Sequence, residues 1–191
     1  MEYTSRLTWE ALLLNEMQVT ADLMRSWKTM SEAKNEIMER NLYMYEKEAA
    51  IVRRFPFIWR RLSLIDDGEW LNIFLSDVND GKILALYTIF VDNNLFALVL
   101  DQIISEKLKW LSPSLYKSDI VQLFEKLDPY EPSISSQTEK TRAKLCQVIL
   151  KILKEVWMLN DDRLSKPYIS VAVQDYLEKK EKWKEFLYII Q

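Results

Sequence analysis

Residues 51–65, IVRRFPFIWRRLSLI, place four arginines and three aromatic residues around a single proline. At about 100° per residue on a helical wheel, the arginines fall within an arc of about 120°, opposite Ile51, Phe55, Ile58 and Leu62. Two separate faces of this kind are typical of an amphipathic helix that buries one side. Pro56 lacks a backbone N–H, but the pattern keeps its phase on both sides of it, so the stretch predicts a kinked helix.

The arginine face of this helix has two interpretations. The side chains could solvate the helix or pair with nearby acids such as Glu46 and Glu48, which is what a charged run usually does. They could instead bind phosphate groups, because the planar guanidinium fork grips phosphate bidentately. All four charged residues on this face are arginine, and only Phe57 lies between them on it. This choice of residue favours phosphate binding. The candidate nucleic-acid contacts are Arg53, Arg54, Arg60 and Arg61.

A second basic face lies on the long helix predicted from Thr138 to about Leu159. Four lysines fall within an arc of about 80°, opposite a continuous apolar side. Glu155, four residues after Lys151, neutralises part of this face, so an ordinary exposed surface is the alternative to phosphate binding. The lysines that we take as further candidate contacts are Lys140, Lys144, Lys151 and Lys154.

The distribution of charge along the chain supports a local rather than a global role for these cations. Residues 138–191 carry eleven Lys/Arg against eight Asp/Glu, so this part is net +3, and the remainder is net −6 within a total of −3. Non-specific DNA binding depends mainly on neutralising phosphates. An acidic chain can achieve this only by concentrating its positive charge in patches.

Several residue types needed for catalysis are scarce. The 191 residues include no histidine, one cysteine and two glycines. Histidine-based triads, zinc clusters and glycine-rich nucleotide loops are therefore excluded. The acids in "IDDGEW" and "SDVNDG" lie at turn signals, where aspartate normally caps helices. We expect a protein that is not an enzyme and has no cofactor, metal or nucleotide, with Cys146 packed in the core.

Neither targeting nor membrane insertion is predicted. The N-terminal "MEYTSRLTWE" lacks a basic segment followed by an apolar one, as a secretory signal requires. The longest apolar run, "ILALYTIFV", covers about half of a bilayer span. A single cysteine suits a reducing compartment, so we expect a cytoplasmic protein without membrane insertion.

Helical periodicity dominates the chain and predicts an all-α fold, with at least two thirds of the residues in helices and at most one small hairpin after about Leu159. Thr8 is a plausible N-cap for a first helix whose apolar side begins at Trp9. Pro113 and the connection "DPYEPSISSQ" mark a break. We therefore expect two packed helical subdomains, an N-terminal bundle over residues 1–112 and a C-terminal unit over residues 113–191.

The C-terminal unit follows the order of a winged helix-turn-helix. A short helix near residues 118–127, the long basic helix, the turn "NDDRLSKP" and an extended "YISV" come in that order. The ten-residue connection is long for the turn between the two helices. A plain helical hairpin is therefore the alternative.

The chain resembles the BrxA family, a small component of the BREX phage-defence system. The resemblance rests on "YTSRLTWEALLLNEMQVTADLM", "ERNLYMYEK", "WRRLSLI", "TRAKLCQVILKILKEVWML" and "ISVAVQDYL", which follow the family pattern in order over nearly the whole chain. It implies an all-α, non-catalytic, cytoplasmic protein that binds double-stranded DNA and works beside other BREX proteins. The family pattern tends to have a glycine near the end of the long helix, where this chain has Val156 and Trp157.

Three functions follow from these observations as hypotheses. The first is a module that binds double-stranded DNA through phosphate contacts without base-specific readout. The second is a scaffold that docks other defence proteins through exposed aromatics and charged faces, without nucleic acid. The third is RNA binding of the NusB-like kind, which the sequence favours less because no aromatic platform for stacking single-stranded bases is evident in it.

Overall fold

The computed structural model describes residues 3–65, 68–109 and 113–190. About 70% of the chain is helical and the sheet has two short strands, which confirms the all-α prediction. The first part contains a 3-10 helix, Ser5–Thr8, followed by α1 (Leu14–Arg25), α2 (Met30–Glu39), α3 (Glu48–Ser63), α4 (Gly68–Ser76), α5 (Val78–Asp92) and α6 (Asn94–Val99). A π-helical segment, Leu100–Ser105, leads to α7 (Glu106–Lys109), α8 (Lys117–Leu127), α9 (Pro132–Ser135), α10 (Glu139–Glu155), β1 (Leu159–Asn160), β2 (Arg163–Leu164), α11 (Val171–Leu177) and α12 (Trp183–Ile190).

Helix α3 runs without a break through the stretch that contains Pro56. The apolar positions predicted for its buried side, Ile51, Phe55, Ile58 and Leu62, are all buried, and Pro56 itself is exposed. The lost backbone hydrogen bond therefore falls on the solvent side of the helix, where water can satisfy the carbonyl that it leaves free.

The predicted start of the first helix at Thr8 is wrong. Thr8 is the last residue of the 3-10 helix, and α1 begins only at Leu14, after Leu13 adopts a left-handed conformation with φ 54°. Residues 9–13 form an irregular connection. Trp9, which the periodicity placed on the apolar side of a helix, is instead 60% exposed.

The C-terminal part contains a small hairpin rather than a strand at "YISV". Strands β1 and β2 pair antiparallel, and Ser114 forms an antiparallel bridge with Arg163 on the other edge of β2. Ser170 caps α11 by accepting a hydrogen bond from the backbone N–H of Val173 at 3.2 Å, so "YISV" leads into a helix. The stretch predicted as extended at "YISV" therefore ends at Ser170, because the serine side chain caps the helix that begins at Val171.

Contacts cross the subdomain boundary that was predicted near residue 112. The 3-10 helix Ser5–Thr8 packs on α10, and α11 packs on α4 and α5. Tyr176 in α11 donates a hydrogen bond to the carbonyl oxygen of Ile65 at 3.3 Å. The buried apolar residues of both parts form one cluster. The boundary itself, with residues 110–112, lies outside the described residues.

Within residues 3–65, 68–109 and 113–190, three helices end in Schellman motifs without glycine. In each, the residue after the C-cap is left-handed, with φ 59° at Trp27, 45° at Asn41 and 60° at Trp157. At α10, the N–H of Trp157 donates to Lys154 at 3.0 Å and that of Met158 donates to Leu153 at 2.9 Å. Glycine usually fills this position because a Cβ is strained there. The two tryptophans therefore hold a conformation that costs stability.

The remaining sequence predictions about aspartate and cysteine are confirmed where the chain is described. Asp77 caps α5 by accepting from the N–H of Asn79 at 2.7 Å and of Asp80 at 3.3 Å. Cys146 is buried, and that burial raises the pKa of its thiol. Asp66 and Asp67 of "IDDGEW" lie outside the described residues.

Within the described ranges, no single helix combines the length and hydropathy of a membrane span. Only α5 and the stretch Asn94–Lys109 meet these criteria together, and they are bent by 107° relative to each other.

Candidate nucleic-acid interface

A groove of about 690 Å³ separates the N-terminal connection and α3 from α10. Its walls are the connection of residues 9–13, the first turn of α1, the middle of α3, the first turn of α5 and the exposed side of α10. Among the described residues that line it, five are cations and two are carboxylates, so the groove is net positive in a chain that is net negative. The cations are Arg53, Arg54, Lys82, Lys144 and Lys151, and the carboxylates are Glu16 and Glu155.

The groove joins the two basic faces that the sequence predicted separately. Arg53 and Arg54 come from α3, whereas Lys144 and Lys151 come from α10. Lys82, near the start of α5, completes the set, and sequence analysis missed it because a single lysine ahead of an apolar run carries no binding signal. Two of the four cations predicted on each helix therefore line this groove.

Arg53 and Lys144 are exposed cations of the groove whose charge is not paired within the described part of the chain. The guanidinium carbon of Arg53 lies 5.0 Å from the ring centroid of Trp9. This contact orients Arg53 while leaving its donors available to an anion.

Arg54 is held in the wall by a hydrogen-bonded cluster. It donates to the Tyr45 hydroxyl at 2.6 Å and lies 4.0 Å from Glu16, and the Tyr45 hydroxyl donates to the same carboxylate. Burial, with a contribution from Glu16, raises the pKa of Tyr45 to about 12. Tyr45 therefore stays protonated at neutral pH, and Arg54 is less available to a ligand than Arg53.

Lys82 and Lys151 each have a partner among the residues that line the groove. The Lys82 ammonium lies 3.5 Å from the ring centroid of Trp157, and burial lowers its pKa against the opposing effect of Glu155. Lys151 is exposed and pairs with Glu155 at 3.5 Å. An anion in the groove would gain from Lys82 in particular, because this ammonium has already lost part of its hydration.

Arg60 and Arg61 lie outside the groove, in an internal ion-pair network. Arg60 binds Asp92 through two hydrogen bonds of 3.0 and 2.6 Å and reaches Glu10 at 2.9 Å. Arg61 is 1% exposed and donates to the carbonyl oxygens of Ala11, at 2.7 Å, and Glu10. The expectation that all four arginines share an exposed face is therefore wrong for this pair, whose role is to tie residues 9–13 to α3.

Lys140 and Lys154 are exposed on α10 but are not among the residues that line the groove. They lie toward the two ends of the helix, flanking Lys144 and Lys151. Their predicted contact with nucleic acid remains a prediction. Replacing Lys140 and Lys154 removes the same charge from the same helix as replacing Lys144 and Lys151, so these two lysines provide a control.

Two tryptophans line the groove and were not recognised as candidates from the sequence. Trp9 and Trp157 are each 60% exposed, whereas Trp70 in the core is completely buried. The sequence signal that could have found Trp157 is its position at the end of α10, where a glycine is expected. Trp9 gave no usable signal because its spacing matched the apolar side of the following helix.

Within the described ranges, no group of three or more histidine, cysteine or acidic side chains is placed to hold a metal ion. The arrangement of the groove can bind an anion through arginine and lysine and can offer aromatic surface beside that anion.

These features define an all-α protein with a concave cationic surface lined by aromatic side chains. The chain belongs to the BrxA family, whose model matches residues 1–181, and is thus a component of a BREX defence system. It is similar to a protein described as "BREX protein BrxA" from Bacillus cereus (strain H3081.97), with 23% identity over 179 residues that cover 92% of this chain and 90% of the relative.

A solved structure shares the fold. The crystal structure of an uncharacterized protein from Magnetospirillum magneticum matches with a TM-score of 0.83 and 20% sequence identity, covering 100% of this chain and 99% of the other. At this level of identity the similarity concerns the fold alone.

Proposed function

We propose that this protein is a non-catalytic, cytoplasmic component of a BREX system that binds double-stranded DNA, needs no cofactor and works beside other BREX proteins. The observation that carries the proposal is the convergence of cations from α3, α5 and α10 on one groove. Membership of the BrxA family supports a role in a BREX system, and the cationic groove supports DNA as the ligand.

The binding mode follows from the chemistry of the cations. Arg53 can bind one phosphate bidentately, while Lys144 and Lys151 act as point charges on neighbouring phosphates. Contacts of this kind position a duplex without reading its sequence. Affinity should therefore depend strongly on salt and little on base sequence.

The order of elements around α10 supports a winged helix-turn-helix as part of the proposal. Ser114, α8, α10 and the β1–β2 hairpin follow that order, and β2 lies between β1 and Ser114. In this arrangement α10 corresponds to the helix that approaches DNA. The connection from α8 to α10 contains α9 and is longer than a simple turn, which favours backbone contacts over deep insertion into the major groove.

The test compares two double variants of α10 that lose the same charge. We expect K144Q/K151Q, inside the groove, to flatten the slope of log K against log salt by up to ~1.8 units, at ~0.9 per phosphate contact. K140Q/K154Q, outside the groove, should flatten it less. Fluorescence anisotropy with two unrelated duplexes at four salt concentrations measures both slopes.

Three results would count against this function. Wild-type protein that fails to bind duplex DNA at low salt would remove the DNA proposal altogether. Equal slopes for the two double variants would show that the groove is not the contact surface. A strong dependence on DNA sequence would contradict phosphate-only recognition.

A protein-docking role has one specific observation in its favour. Trp27 is 94% exposed in a left-handed conformation, and it borders a depression of about 460 Å³ with Met24, Trp59 and Leu71. An exposed aromatic beside apolar side chains is typical of protein interfaces. Co-expression with the other BREX proteins tests this role: W27A should lose co-purification and keep DNA binding if the two surfaces are separate.

A further inference from the structure

We propose that the groove accepts one unpaired nucleotide of bound DNA, whose base stacks on the groove tryptophans while its phosphates contact Arg53 and Lys144. This inference rests on the proposed DNA binding and specifies which feature of the DNA the groove prefers. It predicts tighter binding to duplex that contains unpaired bases than to fully paired duplex.

The size of the groove fits a nucleotide better than a duplex. Its volume of about 690 Å³ lies within the usual range for small-ligand sites, roughly 300 to 1,000 Å³. An intact duplex is too large for this volume, because the major groove of B-DNA alone is about 12 Å wide, and it can therefore contact only the rim. A single nucleotide that leaves the stack can enter.

The exposure of the tryptophans is the second argument. Trp9 and Trp157 line the same cationic groove and are each 60% exposed. Stability would favour burying such large apolar rings, as happens at Trp70. Proteins that bind single-stranded nucleic acid combine a positively charged groove with aromatic side chains on which bases stack, and every base has a face that can stack.

The backbone at Trp157 is the third argument. Its φ of 60° occupies the left-handed position of a Schellman motif, where a side chain with a Cβ is strained. Strain of this kind persists where the surrounding structure or the function maintains it. Here it directs an indole into the groove instead of providing the relaxed helix end that glycine would give.

Each of these rings also has a cation over one face. Lys82 lies 3.5 Å from the Trp157 centroid, and Arg53 lies 5.0 Å from that of Trp9. A base that stacks on the opposite face of either ring therefore brings its own phosphate near a positive charge. The arrangement combines stacking and charge neutralisation at one place, as in sites for single-stranded DNA.

The experiment measures the affinity of the full-length protein for two labelled duplexes of equal length. One is fully paired and the other has a central bubble of three mismatched pairs. We expect wild-type protein to bind the bubble duplex about 5- to 150-fold more tightly, the range that one stacked base supplies. Anisotropy titration at fixed salt gives both dissociation constants.

Variants assign the preference to the aromatic rings. Trp9→Leu and Trp157→Leu should each lower the ratio of the affinity for the bubble duplex to the affinity for the paired duplex, and Trp157→Phe should retain a ratio close to that of the wild type. Trp27→Leu is the matched control, because Trp27 has the same left-handed helix-end conformation but lies outside the groove. Circular dichroism of each variant checks that it folds.

The outcomes separate this inference from the proposed function. If paired duplex is bound and the bubble is not preferred, or if both Trp→Leu variants keep the preference, the inference is wrong and the function stands. If neither duplex is bound, both are wrong. Competition by free deoxyadenosine monophosphate as strong as that by the bubble duplex would identify a mononucleotide site and overturn the DNA-strand assignment.

Discussion

Arg61 and Arg53 lie on the same helix and have the same chemistry, yet they have opposite environments. Arg61 is 1% exposed, and this burial lowers its pKa to about 10 in spite of the attraction of Glu10 and Asp92. Arg53 is exposed and contacts only the face of Trp9 among the described aromatic rings. The difference comes from residues 9–13, whose carbonyl oxygens take the guanidinium donors of Arg61.

Arg61→Gln should therefore destabilise the protein strongly. The substitution leaves Glu10 buried with only Arg60 as its partner, and removing one member of a buried pair costs about 3 to 5 kcal/mol. For a protein of this size, each kcal/mol lowers the melting temperature by roughly 2 to 4 °C. Denaturant unfolding followed by circular dichroism measures the loss.

Arg53→Gln is the matched control on α3 and should change stability by at most about 0.5 kcal/mol, because its side chain is exposed. Equal midpoints for Arg61→Gln and the wild type would show that the internal network does not contribute to folding.

At the level of secondary structure, the prediction was accurate for helices whose apolar residues are the ones that pack in the core. Helix α10 begins after Thr138, as predicted, because the threonine side chain accepts a hydrogen bond from the N–H of Thr141 at 3.2 Å. The first helix was predicted five residues too early. Its periodicity continued through residues 9–13, but the contacts of Arg61 hold that connection in an irregular conformation.

Tyr45 links two of these elements and predicts a dependence of stability on pH. It lies between α2 and α3 and bonds to Glu16 of α1 and Arg54 of α3. Its hydroxyl has a pKa of about 12, raised from 10.0 chiefly by burial. Between these values the unfolded chain has released the proton and the folded protein keeps it, so the free energy of unfolding falls as pH rises above about 10.

Tyr45→Phe should weaken this dependence, because phenylalanine has no proton to release. Urea unfolding at pH 9 and pH 11 gives the difference for each protein. Tyr130→Phe is the control, since Tyr130 is 81% exposed and should leave the dependence unchanged. If the stability of Tyr45→Phe falls between pH 9 and pH 11 as much as that of the wild type, the effect comes from other groups. Tyr87, whose pKa is also about 12, is one of them.

Across the whole molecule, elements from both ends of the chain share one core. The 3-10 helix Ser5–Thr8 packs on α10 with Leu7 completely buried, and α11 packs on α4 and α5. The same contact between the 3-10 helix and α10 brings Trp9, the next residue along the chain, into one groove with Lys144. The proposed binding surface therefore depends on association of the two predicted subdomains.

The fragment 113–191 alone should consequently fail to form a stable fold, although sequence analysis predicted it as a subdomain. Without its partner it exposes the apolar sides of α10 and α11, which costs about 25 cal/mol for every Å² left in water. Circular dichroism and denaturant unfolding of the fragment test this expectation. A cooperative transition at the midpoint of the intact protein would instead support an independent C-terminal domain.

The sequence by itself determined the fold class, the positions of most helices and the absence of histidine, zinc-cluster and glycine-loop chemistry. These properties depend on the spacing of apolar residues and on composition, both of which are local. It also identified two basic faces and the resemblance to the BrxA family. The amphipathic spacing of α3 and α10 placed Arg53, Arg54, Lys144 and Lys151 among eight candidate contacts, without separating them from the other four.

Only the tertiary structure decided which of the predicted cations share a surface. A helical wheel gives directions around one axis, but whether a side chain at that angle meets solvent or another segment depends on contacts distant in the chain. Arg60 and Arg61 form ion pairs with Glu10, about fifty residues earlier, whereas Arg53 and Lys144 line a groove that no single helix defines. Trp9 and Trp157, 148 positions apart in the chain, come to line the same groove only through this packing.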